Sequence, residues 1–312
     1  MRFAAIVAAA LAAAPAAGEV LTESECGALW AMVEDIDAVE GRIAAGQIVL
    51  RDGWCSITDV EFRQDGQYAP GMSFGRLSWR GEGLDAFARR FEAPAALEVR
   101  IEDARYVLQT GDAAMDYMFR AQSAPHGIDA EVSLTWDKAA RQFVVQRLDI
   151  DFPGENAIAL TARVGNVDLT SKAALQASLG SFALTDMTLE VTTNGLFETY
   201  ALIPIGSALL SGAADPEAEI AALLADAKAA VAELPASSFD AATKAALTTI
   251  LSDLPNPAGR ISLAMRSDAG IGPARVAQYA MSGVPTTIAD LAPVFDGVTV
   301  TATYDRAAGG TD

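Results

Sequence analysis

Apolar and polar residues alternate with a period of two through much of residues 46–200, and this pattern limits the fold more than any other feature of the chain. A strand with one buried face and one solvent-exposed face produces such alternation, and strands of this kind pair in antiparallel sheets. In 187–192, for example, Met187, Leu189 and Val191 alternate with polar residues. The same reasoning predicts strands at 47–50, 54–62, 96–109, 129–136, 142–152, 156–164 and 181–193, and around Leu77 and Trp79.

Alternation also assigns side chains to faces of the predicted sheet. In the second strand it places Cys55, Ile57 and Asp59 on one face, with Val60 and Phe62 mostly on the other. Asp52-Gly53 and Asp65-Gly66 are dipeptides typical of tight hairpin turns.

Helical spacing appears near the N-terminus and in two short internal segments. Thr22 and Glu25 fit a capping box, which predicts a helix from about residue 22 to 39. Apolar residues that recur every three or four positions predict short helices at 84–91 and 112–120.

After residue 195 the pattern becomes helical and then returns to strands. The apolar segment 196–210 comes first, and Pro204 and Gly206 are expected to break it. Two helices and two strands follow, at 217–233 after Pro216, at 238–252 with Ser238 as its cap, at 259–266 and at 297–304.

These elements predict a β-rich α+β fold. Its parts would be an elongated or curved antiparallel sheet, an N-terminal helix and an inserted helical hairpin. The predicted organisation is a signal peptide at 1–18, an N-terminal helix with a β-rich region at 19–195, a helical insertion at 196–257, and C-terminal strands at 258–312 that complete the sheet.

Residues 1–18 have the pattern of a secretory signal peptide. Arg2 supplies the positive start, an unbroken apolar run follows to Ala14, and small residues at 16–18 predict cleavage before Glu19, with a second cleavage site after Ala16. The run is shorter than the roughly 20 residues that a membrane span needs. The mature chain is therefore expected in the periplasm, without a transmembrane segment.

The chain has two cysteines, Cys26 and Cys55. In an exported protein an even number of cysteines favours a disulfide. This one would close a loop of about 30 residues and stabilise the fold by roughly 3–4 kcal/mol in the chain-entropy model. Two buried free thiols and a reactive thiol are the alternatives.

Charge and motif content exclude several classes of function. The chain carries 22 basic and 41 acidic residues, a net charge of −19, which argues against nucleic acid as a partner. Its one histidine, His126, excludes sites with two histidine ligands and lies in a sequence typical of a turn. Nucleotide-binding, zinc-protease and β-lactamase motifs are absent from the sequence, so no metal or cofactor is predicted.

Two patterns resemble catalytic sites but have simpler structural interpretations. Gly71, Ser73 and Gly75 match G-x-S-x-G, yet no helix is predicted after them, so we expect a hairpin loop and keep a hydrolase only as a minor alternative. Asp149 and Asp151 would lie about 7 Å apart on one strand, a spacing compatible with weak Ca²⁺ binding or acid–base chemistry. Their alternation with apolar residues predicts a solvated face instead.

The segment 196–210 is apolar on nearly all sides. Such a segment is most often a buried core helix, but it could also line a groove for an acyl chain or cover the open end of a curved sheet. For the second case, the predicted ligand-binding residues are Leu196, Phe197, Tyr200, Ile203 and Leu210.

The order of elements in 140–305 resembles a known group. The strand 187–192 leads into Asn-Gly-Leu-Phe-Glu at 194–198, an alanine-rich helical pair follows, and strands at 261–265 and 298–304 end the region. This layout resembles the C-terminal half of exported alphaproteobacterial proteins of unknown function, which are loosely similar to envelope β-groove proteins of the AsmA kind. The resemblance implies a periplasmic location and a long, curved antiparallel sheet with a helical insertion, and it supplies no catalytic residues.

Two functional hypotheses follow from these features. The first is a soluble, non-enzymatic periplasmic protein that binds a hydrophobic ligand, most simply a lipid, or shields apolar surface in the cell envelope. The alternative is a structural or assembly module that contacts an envelope protein through its sheet edges and acidic surface.

Overall fold

The computed structural model describes residues 21–34, 42–63, 69–277, 279 and 288–307. The predicted signal peptide, the Asp65-Gly66 turn and the end of the N-terminal helix beyond Glu34 lie outside these residues.

One antiparallel sheet of eleven strands forms the body of the described chain. From β3 to β11 every strand pairs with the strand before it in sequence, and β1 and β2 both pair with the outer edge of β3. This confirms the prediction of a β-rich antiparallel fold. The strands are β1 Arg42–Ala44, β2 Ile48–Arg51, β3 Trp54–Arg63, β4 Ala69–Arg80, β5 Ala96–Gln109, β6 Ile128–Asp137, β7 Gln142–Phe152, β8 Asn156–Gly165, β9 Ala183–Asn194, β10 Ala258–Ile271 and β11 Val298–Arg306.

Helices lie between the strands, and the longest ones lie between β9 and β10. There α6 and α7 contact each other, and α7 also contacts β11. The helices are α1 Glu23–Glu34, α2 Leu84–Arg90, α3 Ala113–Ser123, α4 Lys172–Ser178, a π-helical turn Phe197–Ala201, α5 Leu202–Leu209, α6 Pro216–Glu233, α7 Ala241–Asp253, α8 Pro273–Val276 and a 3₁₀ helix Ala289–Phe295.

A disulfide and an apolar cluster fix α1 to the N-terminal end of the sheet. The Thr22 amide donates to the Glu25 carboxylate at 2.9 Å, so the predicted capping box is present. Cys26 and Cys55 form the predicted disulfide, and both are fully buried. Around it pack residues of α1, α2 and β3–β5, among them Trp30, whose ring stacks on Trp79 at 6.3 Å between centroids.

At the other end of the sheet, α7 covers the outer edge of β11. Phe239 forms a bridge with Val300, and the Val300 amide donates to the Ser238 carbonyl at 2.8 Å. The buried Thr243 hydroxyl donates to the Val300 carbonyl and accepts from the Ala302 amide. These bonds satisfy backbone groups that an edge strand otherwise leaves open to another chain.

The structure corrects the predicted faces of β3. Asp59 has a φ of 54°, in the left-handed region, and the register of β3 against β4 skips this residue. Val60 and Phe62 therefore join Cys55 and Ile57 in the apolar cluster rather than facing the opposite side. A residue of this kind reverses the alternation of every residue after it.

Three further expectations are wrong in detail. Gly71, Ser73 and Gly75 lie within β4, where Gly71 and Ser73 pair with both β3 and β5, rather than in a hairpin loop. The cap of α7 is Asp240, whose carboxylate accepts from the Thr243 amide at 2.7 Å, while the Ser238 hydroxyl donates to the Phe295 carbonyl. Helix α5 runs through both residues expected to break it, Pro204 and Gly206.

Candidate functional site

The apolar face of the central strands forms three rows of four side chains, which we call the apolar panel. Each row crosses β6, β7, β8 and β9 at directly paired positions. The rows continue on the same face into β5 and β10. The panel consists of Leu134, Val145, Ala162 and Met187, then Val132, Leu148, Leu160 and Leu189, then Ala130, Ile150, Ile158 and Val191.

All twelve panel side chains are half-buried, whereas both ends of the same face are closed by helices. Residues of α1 and α2 pack on β3–β5, and residues of α7 pack on β10 and β11. Within the panel, each side chain is flanked by apolar neighbours on the adjoining strands. Met187 packs against the apolar cluster at the α7 end. The remaining exposure of the other panel side chains points away from the sheet, which leaves an apolar surface open between two covered ends.

The opposite face of the same strands is charged. Arg80 pairs with Glu98 at 2.7 Å, while Arg100 and Arg147 pair with Glu131 at 3.3 Å and 3.2 Å. The Arg80 and Arg100 guanidinium groups also lie over the Trp54 ring, at 4.4 Å and 4.3 Å from its centroid. Most of these groups are well exposed, so each pair adds little stability, and together they mark this face as the solvated one.

Asp149 and Asp151 lie on this charged face, as their alternation predicted. Asp149 pairs with Arg147 at 3.4 Å. Within the described residues, no three His, Cys, Asp or Glu side chains are grouped so that they could hold a metal ion.

A cleft of about 420 Å³ adjoins one end of the panel. It lies between α3, the π-helical turn and the ends of β5 and β6. Three aromatic rings line it, those of Tyr106, Phe119 and Tyr200, together with Ile128 and the polar side chains of Gln122 and His126. Ile128 lies on β6 two residues before Ala130 of the panel, on the same face, so the cleft and the panel are continuous.

The π-helical turn brings Tyr200 to this cleft. The Leu202 amide donates to the Phe197 carbonyl five residues back, which widens the helix just before Pro204. Pro204 has no amide hydrogen, so it cannot make the helical hydrogen bond to the carbonyl of residue 200, and this loss was expected to end the helix. The widened turn lies directly before α5 and lets the chain pass this position without breaking. The Tyr200 ring packs against Phe152 of β7 at 5.0 Å between centroids, and burial raises the pKa of its phenol.

A backbone irregularity in β5 brings Tyr106 to the same cleft. Asp103 has a φ of 58°, and the register of β5 against β6 shifts between Ile101 and Ala104. Ala104 then pairs with Ile128 on the apolar face, so Tyr106, two residues on, lies on that face too. The backbone of Gly127 lies close to the Asp103 side chain. A Cβ atom on Gly127 would lie only 2.3 Å from the Asp103 carboxylate, so this position needs a glycine.

Of the five residues predicted to bind ligand, Tyr200 lines the cleft. Leu196, Phe197 and Leu210 are half-buried in and around the π-helical turn and α5, and Ile203 on α5 is 76% exposed. Sequence reasoning missed Tyr106, Phe119 and Ile128. The available clue was Glu102-Asp103 inside a predicted strand, because acidic residues are uncommon in strand interiors and mark irregular positions.

The remaining sequence motifs lie apart from this cleft or contribute little to it. Ser73 lies in a strand paired on both sides, without the strand–turn–helix geometry of a nucleophile elbow. No helix in the described ranges combines the length and the apolarity needed to cross a membrane. No protein-family model matches the chain, and no curated protein matches it significantly.

Proposed function

We propose that this protein is an exported, non-enzymatic protein that binds a hydrophobic ligand, most simply a lipid, on the apolar panel. The observation that carries the proposal is the panel itself: twelve half-buried apolar side chains in register, open between two ends that helices cover. The Cys26–Cys55 disulfide fits an oxidising compartment, and the sequence of residues 1–18 fits export to the periplasm.

The dimensions of the face suit an acyl chain. From β5 to β10 the rows extend roughly 24 Å at the usual spacing between strands, which exceeds the ~15 Å that the acyl chains of one leaflet span. Successive strands rotate by about 20–25°, so a sheet of this width is twisted rather than flat. Each buried methylene contributes about 0.8 kcal/mol, so a long tail binds without any polar contact.

The proposal is tested by placing a charge at the centre of the panel. Leu160→Glu adds a carboxylate to the apolar face, and Thr161→Glu adds the same group to the opposite face one residue later. Binding of a fluorescent, uncharged monoacylglycerol analogue is titrated for the parent chain and both variants, so that the net charge of −19 does not oppose the probe. We expect Leu160→Glu to weaken binding at least about tenfold, because an acyl chain cannot solvate the charge, and Thr161→Glu to bind like the parent.

Two further measurements complete the test. Circular dichroism melting establishes that both variants are folded, and native mass spectrometry of gently purified protein reports any lipid that copurifies. A third variant, Phe197→Asp, places a charge in the π-helical turn beside the site, and we expect it to lower ligand uptake. Equal binding by both glutamate variants, with both folded, would place any ligand away from the panel.

Failure of the parent chain to bind any hydrophobic probe would favour the alternative, an assembly module. In that case the contact would not use the β11 edge next to Thr243, because α7 occupies it. Crosslinking in cells would then be the next experiment.

A further inference from the structure

The cleft beside the panel has the composition of a site for a cation. Tyr106, Phe119 and Tyr200 line one space, and aromatic ring faces attract cations. Phe119 and Tyr200 are half-buried and Tyr106 is 62% exposed, so the rings form a partly solvated site. Within the described residues, the side chains that line it include no lysine or arginine. Apart from the His126 imidazole, which also lines the cleft, an anionic group placed there would lack the Lys and Arg partners that anion sites normally use.

A second observation lies in the π-helical turn that forms one wall. Glu198 directly precedes Thr199 and Tyr200, which line the cleft, although the Glu198 side chain is not itself part of the lining. Its Oε2 atom is sealed from solvent and has no hydrogen-bond partner in the described part of the chain. A buried carboxylate oxygen without a donor is costly, and a nearby positive charge reduces that cost.

We propose that this cleft binds the quaternary-ammonium head of a single-chain amphiphile whose tail lies on the apolar panel. The inference rests on the proposed function, since the tail uses the same panel. The net charge of −19 acts in the same direction, because it attracts a cationic amphiphile and repels an anionic one. The acidic surface attracts any cation, so it is the aromatic rings that make the cleft the preferred position for the head group.

The test compares three heads on one tail: decyltrimethylammonium, decyl maltoside and decyl sulfate, each titrated calorimetrically below its micelle-forming concentration. We expect the trimethylammonium head to bind about tenfold more tightly than the neutral head, and the sulfate most weakly. Tyr106→Leu/Phe119→Leu keeps apolar bulk but removes two of the three rings, so at high salt, where the net charge is screened, this variant should lose most of the preference for the trimethylammonium head over the neutral one. Tyr117→Leu on α3, a 66% exposed tyrosine outside the cleft lining, is the matched control and should keep the preference.

The outcomes separate the two proposals. Equal affinity of the parent chain for all three heads would overturn the cationic cleft and leave the panel intact. A trimethylammonium preference that survives in Tyr106→Leu/Phe119→Leu, and disappears in high salt, would assign it to the acidic surface and also overturn the cleft. Absence of binding by every probe would refute the panel and, with it, the cleft.

Discussion

Removal of the Cys26–Cys55 disulfide gives the most quantitative test of how the N-terminal helix is held. The two cysteines are 29 positions apart, and the bond closes a loop of about 30 residues. For that length the chain-entropy model gives about 3.6 kcal/mol of stabilisation through the unfolded state. The double variant Cys26→Ala/Cys55→Ala also deletes two sulfur atoms from fully buried positions, and the cavity adds on the order of 1 kcal/mol.

Urea unfolding followed by circular dichroism measures the change in unfolding free energy. The parent chain treated with a reductant loses the crosslink but keeps both sulfur atoms, so it isolates the loop-closure contribution from the cavity. We expect a loss of about 3.6 kcal/mol on reduction and about 4–5 kcal/mol in the double variant. Such losses are a large fraction of the roughly 5–15 kcal/mol that stabilises a typical domain.

Two results would refute this reasoning. A loss below about 1 kcal/mol on reduction would mean that the unfolded chain already holds α1 near β3, so that closing the loop costs little entropy. Equal losses on reduction and in the double variant would mean that the surrounding cluster collapses into the space left by the sulfur atoms.

The remaining predictions concern α7. Thr243→Val keeps the side-chain volume but leaves the Val300 carbonyl and the Ala302 amide unpaired. It should lower the unfolding free energy by about 2–3 kcal/mol, whereas Thr248→Val, which removes a bond within the helix, should cost under about 1 kcal/mol in the same urea assay. The hydrogen bond from the Thr243 backbone amide holds the pKa of Asp240 below its ordinary 3.8. A depressed folded-state pKa stabilises the fold above the unfolded value, and this stabilisation is lost as pH falls through the folded value. Unfolding free energy should therefore drop on acidification below 3.8, and Asp240→Asn, which also caps helices, should make the drop shallower. An unchanged pH dependence in that variant would contradict the assignment.

The strands could be predicted because most of them have one apolar and one polar face. Strands expected at 142–152 and 156–164 are present as β7 and β8, and in β7 Leu148 and Ile150 share the apolar face as expected. The errors arise where a single residue has a left-handed backbone conformation. Asp59 and Asp103 each shift the alternation, and neither carries a sequence signature as strong as that of glycine.

The helical errors have a different cause. Pro204 was expected to break the apolar segment because a regular α-helix has no place for it, and the π-helical turn that accommodates it has no local sequence code. Helix α4 was missed because Lys172–Ser178 is short and lies largely exposed, so packing imposes little apolar periodicity on it.

The candidate site lies beyond sequence reasoning for a topological reason. Alternation shows which side chains of one strand share a face, but each panel row joins four strands, whose register the sequence does not reveal. Whether that face is open also depends on where α1, α2 and α7 pack. Those helices come from the N-terminus and from the segments before β5 and β10, and they close only the ends of the face. An open apolar surface of this kind promotes self-association unless something opposes it. The net charge of −19 supplies that opposition, because copies of the chain repel one another while an uncharged tail does not feel the repulsion. The acidity of the sequence and the openness of the panel are therefore complementary: together they favour a small apolar ligand over a second copy of the chain.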